Sequence, residues 1–297
     1  MINLRGVLAP VVTPFDANGD VDGDAFAQNV RAHLASGVCG IVITGSTGEA
    51  ALLDEAERNL LVERARQDIT SGHALLVGTG SESTRATIAR TRAAAERGAD
   101  GVLVVAPHYY GDAMTPDALL DHYRRVADES PVPVLLYTIP KYMHFALPPE
   151  VVARLALHEN VVGMKDSSGD ATLFAQYLQS QSETFRVLTG NGPFFAAALR
   201  MGAYGGILAA SLFAPELVFD VWRAHERGDG EAAKRAQVAL TPLAAKVVGG
   251  MGVPGVKAAL DRIGLVGGAP RPPLRPLAHV ASELLEELLR AAELAPS

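Results

Sequence analysis

The stretch VVGMKDSSGD, residues 161–170, is decisive for the fold because an apolar run ends in one lysine and then breaks into small polar residues. Its opening residues predict a buried β-strand that ends near Lys165, one of five lysines in a chain of 297 residues. A strand that is apolar along its whole length is typical of a parallel sheet covered by helices. In such a fold we expect functional side chains where a strand meets the loop that follows it.

Seven further short runs rich in valine, isoleucine and leucine repeat this pattern along the chain. They begin at Val7, Gly40, Ala74, Gly101, Val132, Phe185 and Gly205. Between them lie longer segments whose apolar residues return every three or four positions, which is the period of an amphipathic helix. Eight strand–helix units of this kind predict an α/β fold, a (β/α)8 TIM barrel.

After Ser211 the strand pattern stops, and a helical pattern continues towards the end of the chain. Helices are predicted at residues 213–226, 230–247, 253–263 and 277–293. The proline cluster GGAPRPPLRP, which begins at Gly267, predicts an extended connector because proline lacks the N–H donor that helices and central strands need. The predicted organisation is a barrel catalytic domain, residues 1–211, followed by a C-terminal helical extension, residues 212–297.

Composition limits the classes of protein that fit. Hydrophobic residues make up 48% and charged residues 20%, with a formal net charge of -7, a balance typical of a globular protein without a nucleic-acid-binding surface. The start MINLRGVLAP does not resemble a leader, and no uninterrupted apolar run of about 18 residues stands out. We therefore expect a cytoplasmic protein without a membrane partner. A single cysteine, Cys39, excludes an intramolecular disulfide and a cysteine-rich metal site.

Lys165 and Tyr137 both stand at predicted strand ends, on neighbouring strands. A lysine amine among apolar walls resists carrying charge, and its neutral form can attack a ketone to form a Schiff base. Neighbouring parallel strands lie roughly 5 Å apart, so the phenol of Tyr137 could reach the same ligand. The residues alone leave other interpretations open: the lysine could extend into solvent or pair with Asp166, and the tyrosine could be a packing residue.

The segment ITGSTGEAALLDEAER follows the second predicted strand and turns through two glycines before a helix. Backbone N–H groups at such a turn bind carboxylate or phosphate, which makes Ser46 and Thr47 candidate ligand-binding residues. The turn is not a P-loop, because Ser46 stands where the lysine must be, and GTGSES from Gly78 lacks the third glycine of a dinucleotide site. Hydroxyl residues beside glycines also occur in many ordinary loops.

The motifs GSTGEAALLDEAER, APHYY, LLYTIP and VVGMKDSSGD, in this order and spacing, resemble those of the dihydrodipicolinate synthase and N-acetylneuraminate lyase family. The resemblance extends from VVTPFDANGDVD near the start through the helical tail. It implies a (β/α)8 barrel with a helical extension, a homotetramer built as a dimer of dimers, and a small 2-oxo acid as substrate. It also implies that neither a metal nor an organic cofactor takes part.

Matched position by position, the resemblance implies roles for individual residues. Lys165 becomes the Schiff-base lysine and Tyr137 the proton-transferring phenol, while Ser46 and Thr47 hold the substrate carboxylate. Tyr109 matches a tyrosine that crosses a dimer interface to complete a proton relay with Tyr137 and Ser46. Lesser substrate contacts are implied for Ser167, Ile207 and Gly190, although packing or turn roles explain these residues equally well.

Within the family, PHYYGDAMTPDALLDHY and GVPGVKAALDRIGLVGGAPRPPL are most similar to the 4-hydroxy-2-oxoglutarate aldolases. One position departs from the synthase pattern. After YTIP, a dihydrodipicolinate synthase carries an arginine that binds the second substrate, and Tyr142 stands in its place. The stretch KYMHF allows three interpretations. It is a bulky apolar wall, similar to that of hydratase-aldolases acting on benzylidenepyruvates, or it packs against a neighbouring subunit. Alternatively, Lys141 replaces the positive charge of the missing arginine. Met143 and His144 replace the usual Thr-Gly.

Together these observations predict a class I lyase that forms a Schiff base with pyruvate or another 2-oxo acid. The enzyme is expected to cleave or make the C3–C4 bond of a 4-hydroxy-2-oxo acid, as a 4-hydroxy-2-oxoglutarate aldolase does. The alternatives are a 4-hydroxy-tetrahydrodipicolinate synthase and a family member acting on sugar acids or benzylidenepyruvates. A protein that only binds 2-oxo acids is the non-enzymatic alternative. A phosphate-binding barrel is disfavoured because the loops after the seventh and eighth strands carry few basic residues.

Overall fold

A computed structural model describes residues 2–70 and 72–294 of the chain. Within this part, eight parallel strands close into a barrel in the order in which they occur in the sequence. The strands are β1 Gly6–Pro10, β2 Gly40–Ile43, β3 Ala74–Gly78, β4 Gly101–Val105, β5 Val134–Thr138, β6 Val161–Asp166, β7 Arg186–Thr189 and β8 Gly205–Ile207. The predicted (β/α)8 barrel is confirmed.

Helices surround the barrel. They are α1 Gly23–Ala35, α2 Glu55–Asp68, α3 Thr84–Glu96, α4 Pro116–Glu129, the short α5 Pro140–Met143, α6 Pro149–Leu155, α7 Ala171–Leu178 and α8 Phe195–Met201. Nearly every residue of the strands is buried, as expected for a parallel sheet between a filled interior and an outer helical layer. The strand carboxyl ends therefore meet at one rim of the barrel.

Local capping determines where α2 begins, directly after the loop that carries Ser46 and Thr47. The Asp54 side chain accepts a hydrogen bond from the Glu57 N–H at 2.9 Å, and the Glu57 side chain accepts one from the Asp54 N–H at 2.9 Å. This reciprocal capping box satisfies two backbone donors that a helix end otherwise leaves without partners. The far end of the site loop is thereby anchored.

The C-terminal helical extension predicted after the barrel is present. It contains α9 Pro215–Glu226, α10 Gly230–Pro242, α11 Gly252–Arg262 and α12 His279–Ala291. The boundary predicted between residues 211 and 212 falls in a short 3-10 turn, Ala209–Leu212, that follows β8. Division into two domains at this turn stays a prediction, and residues 1, 71 and 295–297 of the two ranges lie outside the described residues.

The helices predicted at residues 230–247 and 253–263 are not separate. A π-helical segment, Leu243–Met251, joins α10 to α11, so that one helical run covers Gly230–Arg262. Pro242 removes a backbone donor just before the segment, which disturbs the regular α-helical ladder. By length and composition alone this run could cross a membrane. Its buried side chains include Leu240, Leu243 and Leu260, which pack against the rest of the chain.

Candidate active site

Strands β5 and β6 place Tyr137 and Lys165 side by side at the carboxyl rim of the barrel, as register partners. Lys165 is only 7% exposed, and its Nζ lies 4.5 Å from the centroid of the Tyr137 ring. Across the described residues, Nζ has neither a hydrogen-bond nor an ion-pair partner. The side chain therefore neither extends into solvent nor pairs with Asp166. A buried amine without a partner is costly for a structure to retain and is typical of a reactive group.

The next residue of β6, Asp166, is fully buried and lies on the opposite face of the strand. Burial raises the pKa of its carboxyl to about 6, although hydrogen bonds from the Ser168 N–H at 2.9 Å and the Ser168 hydroxyl at 2.8 Å oppose this rise. The Gly190 N–H donates to the Asp166 carbonyl oxygen at 2.6 Å. Asp166 thus links the end of β6 to the loop that follows β7.

The raised pKa of Asp166 predicts a pH dependence of stability. In the unfolded chain the carboxyl has its ordinary pKa of 3.8, so protonation stabilises the fold at low pH, and this stabilisation is lost as pH rises through about 6. The full difference corresponds to about 3 kcal/mol at 1.36 kcal/mol per pKa unit. We expect the unfolding free energy of the parent to fall relative to Asp166→Asn between pH 4 and 7, measured by urea denaturation. A pH-independent difference would contradict this assignment.

The loop after β2 presents unpartnered donors to the same rim. Thr44 and Glu49, at its two ends, adopt left-handed backbone conformations with φ of 48° and 58°, which turn the chain sharply. Between them, the N–H groups and hydroxyls of Ser46 and Thr47 form no hydrogen bond with any residue that the structure describes. A pair of free N–H groups beside two hydroxyls is suited to bind a carboxylate.

A buried ion pair between Lys257 and Glu49 anchors the end of this loop, and the sequence alone did not predict it. Lys257 of α11 donates from Nζ to Glu49 Oε1 at 2.7 Å, and both side chains are essentially inaccessible to solvent. The same amine donates to the carbonyl oxygens of Thr13 at 2.8 Å and Ala269 at 2.9 Å. Burial lowers the pKa of Lys257, and the contact with Glu49 opposes that effect. The C-terminal extension thus holds the site loop in place.

Arg271, in the proline-rich connector, also ties the C-terminal extension to the loop after β2. Its backbone N–H donates to Glu49 Oε2 at 2.8 Å, and its guanidinium binds the carboxylate of Glu57. In the sequence, the one signal for the contacts among Glu49, Lys257 and Arg271 is that Lys257 stands inside an otherwise apolar helical pattern.

One cavity of about 180 Å³ collects the predicted site residues at the barrel mouth. Side chains or backbone atoms of every predicted residue except Tyr109 line it: Ser46, Thr47, Tyr137, Lys165, Ser167, Gly190 and Ile207. A larger and more apolar cavity adjoins it and shares Ser46, Tyr137 and Tyr142 with it. The structure therefore brings the predicted amine, phenol and carboxylate-binding donors to a common space large enough for a small molecule.

Position 190 requires a glycine for a steric reason. A Cβ atom added there would lie 2.5 Å from Lys165 Cε and 2.1 Å from Ser167 Oγ. Any side chain would collide with the lysine stem, so the glycine leaves the space in which the Lys165 side chain runs towards the cavity.

Tyr109 does not line the cavity in the single chain. Its side chain is 77% exposed and contacts Tyr110 edge to face, with ring centroids 5.0 Å apart. Its backbone N–H is held by Glu82 at 2.9 Å. The relay role that the resemblance implies depends on a second subunit and stays a prediction.

The stretch after β5 divides into residues that face the cavity and residues that do not. Lys141 and Tyr142 line the cavity, whereas Met143 is buried and its sulfur accepts a hydrogen bond from the Ile139 N–H at 3.3 Å. His144 is exposed, ends the short α5 in a left-handed conformation, and is not part of the cavity wall. This stretch therefore supplies one aromatic ring and one cation to the site rather than a continuous apolar wall.

The model of the dihydrodipicolinate synthetase family matches residues 3–292. The chain belongs to this family. It is 34% identical over 281 residues to a 4-hydroxy-tetrahydrodipicolinate synthase from Exiguobacterium sp., covering 94% of this chain and 95% of that protein. It is 38% identical over 277 residues to an uncharacterised DapA-like lyase from Halobacterium salinarum, covering 93% and 90%.

Solved structures give the same result. A dihydrodipicolinate synthase from Bacillus anthracis superposes with a TM-score of 0.94 at 28% identity and full coverage of both chains. One from Acinetobacter baumannii, solved with pyruvate, gives a TM-score of 0.93 at 29% identity, with 98% of this chain and all of that chain covered. Membership of the dihydrodipicolinate synthetase family confirms that the chain is a lyase. Apart from the uncharacterised DapA-like lyase, the relatives named above are synthases, and they favour the synthase alternative over the predicted likeness to 4-hydroxy-2-oxoglutarate aldolases.

Proposed function

We propose that Lys165 forms a Schiff base with the C2 ketone of pyruvate or a related 2-oxo acid. The observation that carries this proposal is the buried, unpartnered amine beside Tyr137, in the same cavity as the free donors of Ser46 and Thr47. The amine nitrogen bonds to C2, and the ketone oxygen leaves as water. The resulting protonated imine is an electron sink next to C3.

In the cleavage direction the electron pair of the C3–C4 bond moves towards the imine, while Tyr137 takes the proton of the C4 hydroxyl and an aldehyde leaves. The remaining enamine is protonated at C3, and hydrolysis then releases pyruvate and restores the amine. Ser46 and Thr47 hold the C1 carboxylate, which fixes C2 beside Lys165 and reduces the entropic cost of reaching the transition state. Synthesis is the same sequence reversed.

Replacing Tyr137 with phenylalanine tests the proton-transfer role. General acid–base catalysis is worth about 10²- to 10⁴-fold in rate, so we expect Tyr137→Phe to slow pyruvate release by a factor in this range. The imine should still form, because Lys165 and the carboxylate donors are intact. Borohydride reduction followed by mass spectrometry detects the imine separately from turnover. Parental turnover in Tyr137→Phe would show that another group moves the proton.

The second reactant is open between two candidates. The names of the relatives support addition of pyruvate to aspartate semialdehyde, as in a 4-hydroxy-tetrahydrodipicolinate synthase. Tyr142 lines the cavity where the resemblance places a carboxylate-binding arginine in synthases, which favours cleavage of a 4-hydroxy-2-oxo acid such as 4-hydroxy-2-oxoglutarate. Comparing product formation from pyruvate plus aspartate semialdehyde with pyruvate release from 4-hydroxy-2-oxoglutarate, at equal enzyme concentration, distinguishes the two.

Assembly into oligomers is also part of the proposal. The exposed Tyr109 and Tyr110 side chains are a large aromatic surface beside the second cavity, which His108 helps to line. A homodimer that covers this surface, paired again into a tetramer, would bring a partner's tyrosine towards Tyr137. Sedimentation velocity of the parent, with Tyr109→Ser as a comparison, tests whether this surface is an interface.

A further inference from the structure

The cavity around Lys165 differs in charge from the chain as a whole. The Lys141 ammonium lines it, the protonated imine proposed for Lys165 would add a second positive charge, and no aspartate or glutamate is among its described lining residues. The chain itself carries a formal charge of -7. Neither lysine belongs to an ion pair within residues 2–70 and 72–294. A ligand with negative charge would balance this surplus, and the donors of Ser46 and Thr47 already account for one carboxylate.

The Lys141 ammonium is held at the cavity before any ligand arrives. Its Nζ donates to the Gly249 carbonyl oxygen at 2.8 Å and lies 5.6 Å from the centroid of the Tyr142 ring. An ammonium has three N–H donors, so two stay available for a ligand. Because the side chain is already restrained, less conformational entropy is lost when it binds a second partner.

The partner of Lys141 belongs to the C-terminal extension. Gly249 lies in the π-helical segment Leu243–Met251, which contributes the small side chains Ala244 and Ala245 to the cavity wall. π-Helical turns within longer helices are frequent at functional sites. Lys141 thus connects the short α5 to the π-helical segment, 108 residues further along the chain.

We propose that Lys141 binds a second carboxylate of the substrate, located on the aldehyde fragment, and so determines that the enzyme prefers aldehydes with an acidic tail. The inference rests on the proposed Schiff base at Lys165, which fixes the orientation of the 2-oxo acid. Among the described residues, Tyr137 and Tyr142 are the aromatic side chains that line this cavity. Because Tyr137 is assigned to the C4 hydroxyl, Tyr142 alone is left to pack against an aromatic tail, which disfavours such a tail. The preference applies to cleavage of 4-hydroxy-2-oxoglutarate and to addition of aspartate semialdehyde alike.

The test compares two substrates that differ only in the tail. 4-Hydroxy-2-oxoglutarate carries a carboxylate where 4-hydroxy-2-oxopentanoate carries a methyl group, and pyruvate release is measured for both. A hydrogen bond to a charged group supports an expected loss of about 10- to 100-fold in kcat/KM for the acidic substrate in Lys141→Met. We expect less than about threefold change for the methyl substrate, and partial recovery of the preference in Lys141→Arg.

Lys246→Met is the matched control, because Lys246 is an exposed lysine of the same π-helical segment that does not line the cavity. It removes the same charge nearby and should leave the substrate preference unchanged. Equal losses for both substrates in Lys141→Met, or a parent enzyme that prefers the methyl or a phenyl tail, would overturn the inference. Trapping of pyruvate on Lys165 in the parent shows separately that the proposed function holds; absence of the adduct would refute that function instead.

Discussion

Lys165→Met is expected to abolish pyruvate release while leaving the fold intact. The substitution keeps the length and apolar stem of the side chain but removes the nucleophile, so no imine can form. Losing a covalent nucleophile costs about 10⁴-fold or more in kcat in well-studied enzymes. Because the parental amine is 7% exposed and has no partner in the described structure, its removal should leave the melting temperature unchanged or raise it.

The control for this prediction is Lys234→Met, which removes an exposed lysine on α10. It should retain parental turnover and parental stability. If Lys165→Met keeps more than about a hundredth of the parental activity, a Schiff base at this position is not the route. If it loses activity only because it unfolds, circular dichroism and the melting temperature will show this directly.

The second large effect concerns the ion pair between Lys257 and Glu49, next to the loop that is proposed to bind the substrate carboxylate. Lys257→Met leaves Glu49 as a buried carboxylate whose strongest partner is gone, and breaking one side of such a pair typically costs about 3–5 kcal/mol. Glu49 is two residues from Thr47, so its displacement should also disturb the donors that are proposed to hold the substrate carboxylate. We therefore expect lower unfolding free energy together with a higher KM for the 2-oxo acid.

A double-mutant cycle isolates this pair. Lys257→Met and Glu49→Gln each destabilise the chain, and the double variant should be less destabilised than the sum of the two, because neither partner is then left charged and alone. Urea denaturation gives the unfolding free energies, with Lys234→Met as the exposed-lysine control. Additive losses would mean that Lys257 and Glu49 stabilise the protein independently and that the loop has another support.

Much of the barrel could be predicted because the patterns that indicate its strands and helices lie within short segments of the sequence. Each strand is a short apolar run followed by a polar break, and the period of the following helix is visible in the same segment. Boundaries were less accurate: β5 begins at Val134 rather than Val132, since Pro133 lacks the N–H that a central strand requires. The π-helical segment was missed because its wider turn breaks the regular apolar period, so one helical run was predicted as two.

The rim residues could be predicted for the same reason, since the barrel fold itself brings strand ends together. Tyr137 and Lys165 became register partners once β5 and β6 were placed side by side. The pair between Glu49 and Lys257 could not be predicted, because 208 residues separate its members and no periodicity connects them. The contact between Lys141 and Gly249 depends in the same way on how the extension packs over the barrel mouth.

The most direct test of the central claim is reductive trapping with pyruvate. The parent enzyme is incubated with pyruvate and borohydride, and the peptide that contains Lys165 is examined by mass spectrometry. We predict one irreversible adduct on Lys165, with the mass of pyruvate joined to the chain after loss of water and reduction. The trapped enzyme should lose activity, and the adduct should be absent in Lys165→Met. Unmodified protein, or an adduct on another lysine, would contradict the account.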